Sequence, residues 1–92
     1  MAITFRIPSY LAGFAEGKTT LSLEHAATMG DALSALWRRY PGLQDRIVDE
    51  QGQVRQHINI FVGNECIRFM NGLATPVSDG TEILIVPAVS GG

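Results

Sequence analysis

Ser90-Gly91-Gly92 closes the sequence, directly behind a strongly apolar segment. The chemistry on offer there is that of the terminus itself. An α-carboxylate has an unperturbed pKa of about 3.3–3.7, so Gly92 is expected to be an anion at neutral pH. Gly91 and Gly92 lack a Cβ and Ser90 carries only a hydroxymethyl group. Together they make a thread thin enough for a channel that larger side chains would block. Glycine pairs ordinarily mark turns between elements, but this one ends the sequence. The expectation is a flexible tail over residues 88–92 whose carboxylate another protein modifies, with Gly92 as the reacting residue and Gly91 and Ser90 as the threading ones. The bland alternative is an inert, frayed end.

No other residues assemble a competing chemistry. His25 and His57 are far apart in sequence, and neither belongs to a metal-ligand spacing, so both are expected to be ordinary surface histidines and no metal is expected. Cys66 is the single cysteine, with Arg68 its only basic neighbour close in sequence. A lone cysteine usually behaves as a small hydrophobe rather than a nucleophile. Asp49-Glu50 reads as a solvated loop pair. The stretch from Gly13 to Gly17 lacks the Gly-Lys-Ser/Thr ending of a phosphate loop. A self-contained enzyme is therefore not expected.

The elements that must carry this tail are legible from patterning. Ile3, Phe5 and Ile7 alternate with polar residues in a first strand, and residues 19–23 return as a second after a long connection. Thr28 followed three residues later by Asp31 resembles a capping box. Met29, Ala32, Leu33, Leu36, Trp37 and Tyr40 then recur at helical spacing, and Pro41-Gly42 stops the helix. A short helical turn is expected over 45–48, followed by a polar loop. Residues 58–62 read as a third strand, 66–69 as a shorter fourth, and 82–86 as a last strand apolar enough to be buried on most of both faces, ended by Pro87. The order β-β-α-β-β-β, with the last strand parallel to the first in the middle of the sheet, is an α+β layer pair of the β-grasp type. It fills residues 1–92 as one domain.

Alternation also separates two faces. If Ile58, Ile60, Ile83 and Ile85 face the helix, then Phe61, Leu84 and Val86 point away from it. An apolar patch beside a protruding tail is more often a docking surface than an accident, so Phe61, Leu84 and Val86, with Arg68, are the candidate partner-binding residues.

Composition sets limits on the partners. The chain has 92 residues, 46% apolar and 17% charged, which suits one globular domain. Its net charge is −2 and Arg38-Arg39 is its longest basic cluster, so neither nucleic acid nor an anionic membrane is an expected partner. The longest apolar run, 83–89, is far short of the roughly 20 residues that span a bilayer. No signal-peptide pattern opens the sequence and no internal disulfide can form from one cysteine, so a cytoplasmic location is expected.

The ending Pro87-Ala88-Val89-Ser90-Gly91-Gly92 resembles that of the ubiquitin-like sulfur carriers, which include the small subunit of molybdopterin synthase and the carrier of the thiocarboxylate route to cysteine. Residues 57–62 (His-Ile-Asn-Ile-Phe-Val), Ile67-Arg68-Phe69, Gly72-Leu73-Ala74-Thr75 and Asp79-Gly80 extend the similarity upstream. Ser90 departs from the commoner alanine. The 43–57 segment is longer than in the thiamine-route carriers. The resemblance implies that an E1-like enzyme adenylates Gly92 with ATP, the carrier itself holding no cofactor. A sulfur donor then converts the adenylate to a thiocarboxylate. The acceptor would be a pyridoxal-phosphate-dependent cysteine synthase, with the large subunit of molybdopterin synthase as the alternative. The resemblance thus implies a protein co-substrate acting with partner enzymes, not an enzyme. A modifier joined through Gly92 to lysines, or a plain interaction module with an inert tail, are the rivals from other classes.

Overall fold

A computed structural model describes residues 2–87. Five strands form one sheet: β1 (Ile3–Arg6), β2 (Thr20–Leu23), β3 (Ile58–Val62), β4 (Glu65–Cys66) and β5 (Glu82–Pro87), in the spatial order β2-β1-β5-β3-β4. The last strand lies in the centre, parallel to β1 (Phe5 opposite Ile83) and antiparallel to β3 (Ile60 opposite Ile85). Helix α1 (Met29–Arg39) packs across one face, and α2 (Gln44–Ile47) follows a 3₁₀ turn at Pro41–Leu43. This is a β-grasp.

The sequence explains each boundary. Thr28 caps α1 by accepting a hydrogen bond from the Asp31 backbone N–H at 3.2 Å. Arg38 and Arg39 occupy its last turn, where positive charge complements the helix dipole. Met29, Ala32, Leu33 and Leu36 come from one stripe of α1, and all are buried against Ile3, Phe5, Ile58, Ile60, Ile83 and Ile85. The first turn of α1 also presses on the 72–74 turn, where a Cβ on Gly30 would lie 3.2 Å from the Leu73 carbonyl oxygen. Leu11, from a 3₁₀ turn in the long β1–β2 connection, and Leu43 and Ile47, from the segment after α1, seal the end of this core.

Three sequence expectations are corrected. The fourth strand stops at Cys66; Ile67–Phe69 is a 3₁₀ turn that drops Ile67 into the core and sends the Arg68 side chain back toward the start of β3. The last strand runs one residue beyond the expected 82–86: Pro87 is itself paired, opposite Ile58, as the final described member of the ladder. A missing N–H is tolerated in a pair that needs no donor from that residue. Strand β5 is not buried on both faces: Ile83 and Ile85 are fully buried, but Leu84 is 36% exposed and Val86 only half-buried. Its central position is as expected, yet among the described residues no second layer covers the face opposite α1.

Candidate functional site

The open face is built by register. Leu84 in the middle of β5 stands opposite Arg6 of β1 and Phe61 of β3, and Phe61 in turn stands opposite Cys66 of β4. One rung along, Val86 is opposite Asn59. Directly opposed residues share a face, so Phe61, Leu84 and Val86 form a contiguous apolar strip, as the alternation predicted. Phe69 adds to it: it is 86% exposed and lines a shallow depression of about 480 Å³ with Asn59, Phe61, Asn64, Glu65, Cys66 and Arg68.

Polar groups rim this strip. On the β1 side the Arg6 Nε donates to Glu82 Oε2 at 2.8 Å. On the β3 side the Arg68 guanidinium donates to the carbonyl oxygens of Ile58 (2.6 Å) and Arg55 (2.9 Å) and, through Nε, to Asn59 Oδ1 at 3.2 Å. An apolar centre inside a polar rim is the anatomy of a protein–protein interface. Such a face is suited to recognising a partner.

The two histidines lie at the surface, as the sequence reading expected. His57 is exposed, and His25 is exposed beside Asp79, with Nδ1 3.2 Å from Oδ1. No group of three or more metal-ligating side chains occurs among the described residues. Cys66 is buried, and its thiol, 4.0 Å from Asn59 Oδ1, belongs to the open face rather than to the helix-side core. Ser90, Gly91 and Gly92 lie outside the described residues, as does the rest of 88–92. Sequence reasoning missed Phe69 and Asn59. Phe69 looked like one more residue of a strand, and only the 3₁₀ turn turns it outward. Asn59 was visible as the one polar residue among the apolar positions of β3, a signal that went unused. No helix among the described residues is long and apolar enough to cross a membrane.

A chain with this fold and this open face has close counterparts. Sulfur carrier protein CysO of Mycobacterium tuberculosis is 36% identical over 94 residues, spanning 100% of both chains. A chain in the crystal structure of the Amycolatopsis orientalis BexX/CysO complex superposes with a TM-score of 0.88 at 33% identity, covering 99% of this chain and 100% of that one. The crystal structure of SAMP1 from Haloferax volcanii gives 0.81 at 31% identity, with 100% of both chains covered. The model of the ThiS family matches residues 6–92, nearly the whole length, and by that match and these identities the chain belongs to the ThiS family.

Proposed function

We propose that this protein is a sulfur carrier for cysteine biosynthesis, a co-substrate rather than an enzyme. The observation that carries the proposal is the position of β5: its outward residues Leu84 and Val86 form the centre of an open apolar strip, and its last residue, Pro87, leads directly into 88–92. The surface that a partner grips thus lies on the strand that immediately precedes, in sequence, the segment the partner modifies.

The chemistry runs through two nucleophilic displacements. A Gly92 carboxylate oxygen attacks the α-phosphorus of ATP on an E1-like enzyme, and pyrophosphate leaves. Bisulfide, supplied by a sulfur donor at that oxidation level, then attacks the carbonyl carbon, AMP leaves, and Gly92 carries a thiocarboxylate. ATP belongs to the activating enzyme, and the carrier holds no cofactor. Docking through Phe61, Leu84 and Val86 makes each encounter effectively intramolecular for the tail and offsets the entropy lost when glycines are ordered. The acceptor is a pyridoxal-phosphate-dependent synthase that builds cysteine from an activated serine derivative. Full-length likeness to CysO supports this acceptor over the large subunit of molybdopterin synthase. So does the small apolar centre, because a shuttling carrier must dissociate after each transfer. These reactions belong to the cytosol.

Intact-mass spectrometry after incubation with the cognate activating enzyme, ATP and a sulfur donor tests the proposal. One oxygen should be replaced by sulfur, and a cysteine adduct should then form at Gly92 in the synthase reaction. Sulfur delivered only to a molybdopterin precursor would overturn the cysteine assignment. The likeness to SAMP1, a small archaeal modifier protein by name, favours a second reading in which Gly92 is joined to lysines of other proteins. Isopeptide-linked conjugates in cells would be its signature.

A further inference from the structure

Arg68 lies on the open face, where an exposed arginine is ordinarily a point of contact for a partner. Its hydrogen bonds tell otherwise. Strand β4 pairs only with Phe61 and Val62, so the first half of β3 has no strand beyond it on that edge. The Ile58 carbonyl would be orphaned there, and a backbone acceptor without a partner is costly. Arg68 takes the place of the missing strand: one nitrogen, Nη2, spans the carbonyls of Ile58 and Arg55, and Nε holds the Asn59 side chain. The Ile58 N–H is itself turned to Arg55 O at 3.0 Å.

What this clamp holds is the end of the ladder. Ile58 is opposite Pro87 and Asn59 is opposite Val86, the last two rungs before residues 88–92. Ile58 turns its N–H to Arg55 and its carbonyl to Arg68, both away from β5, so its pair with Pro87 exchanges no backbone hydrogen bonds and loses nothing to the proline. The orientation of Ile58 is set instead by Arg55 and Arg68. We infer that Arg68 is a positioning residue for the reaction at the C-terminus: it holds the first two residues of β3 and, through them, Val86 and Pro87, the final described residues of β5. The inference rests on the carrier function proposed above.

The experiment compares wild-type protein with R68A and R68K. Lysine keeps the charge but cannot reproduce the forked, planar donor set, so both variants should lose the clamp. A simple charge contact with a partner would survive in R68K. Amide hydrogen exchange on the free protein should speed up at least about tenfold at Ile58 and Val86 and stay unchanged at Phe5 and Leu21, because local openings are confined to the freed segment. In steady-state activation by the adenylating enzyme, kcat should fall about tenfold in both variants, the scale of a misplaced reacting group. KM should stay within about twofold, since docking is untouched. Unchanged exchange at Ile58 and Val86, or exchange raised uniformly across the sheet, would overturn the inference. So would a raised KM with unchanged kcat, which would make Arg68 a partner contact. Wild-type protein that is never adenylated would overturn the carrier function instead, and the exchange pattern by itself would then decide the clamp.

Discussion

The two faces of the central strands carry similar side chains to opposite ends. On β3 and β5, Ile58, Ile60, Ile83 and Ile85 point to α1 and are at most 1% exposed, whereas Phe61, Leu84 and Val86 point away and keep part of their surface in water. Both sets are large and apolar, and they alternate residue by residue along the same backbone. Only the first has a helix over it. The difference teaches that apolar character in a central strand does not by itself mean core. Burial against α1 supplies the hydrophobic term that holds the fold, while the surface left open is free energy available to a partner.

The sharpest way to break this comparison is to place a charge on each face in turn. Ile85→Asp puts a carboxylate among fully buried side chains with no cation near it, and should unfold the domain at a cost above about 4 kcal/mol. Chemical denaturation or circular dichroism would register the loss, and a folded variant would mean the helix-side face tolerates water. Leu84→Asp, one residue away on the open face, should leave the thermal midpoint nearly where it was. Its effect belongs to binding: loss of a central apolar contact costs about 2 kcal/mol at an interface. Titration calorimetry with the activating enzyme should show correspondingly weaker affinity, and Phe61→Asp should behave alike. Unchanged affinity in both would remove the open strip from the docking surface.

Smallest in stability is the effect of Gly91→Val. The substitution lies beyond the last rung of β5, so folding should change by no more than about 0.5 kcal/mol. Activation should nonetheless be abolished, because a β-branched side chain cannot follow a path that admits only glycine. Normal formation of the thiocarboxylate would refute the threading role of Gly91. A large drop in thermal stability would tie the tail to the fold instead. The comparison then has three members: the buried face, the face proposed to dock, and the segment proposed to react.

Local sequence determined much of this. Alternation marked β1, β3 and β5 and told their two faces apart, because in an extended chain neighbouring side chains must point opposite ways. Helical spacing and the Thr28 cap placed α1 within a residue of its observed start. The glycine pair at 91 and 92 suggested a chemistry without any fold at all, although that segment lies outside the described residues. Tertiary structure decided what such patterns cannot encode. Whether Leu84 and Val86 were covered depended on how many layers the chain could build, and a chain with one long helix has only enough to cover one side of its sheet. The shortness of β4 came from Ile67 reaching the core and from Arg68 reaching carbonyls 10 and 13 residues back. Bonds of that span form only after the sheet has closed, so no periodicity announces them. The same closure turned Phe69 outward, set Cys66 on the open face, and gave Arg68 a backbone edge to hold.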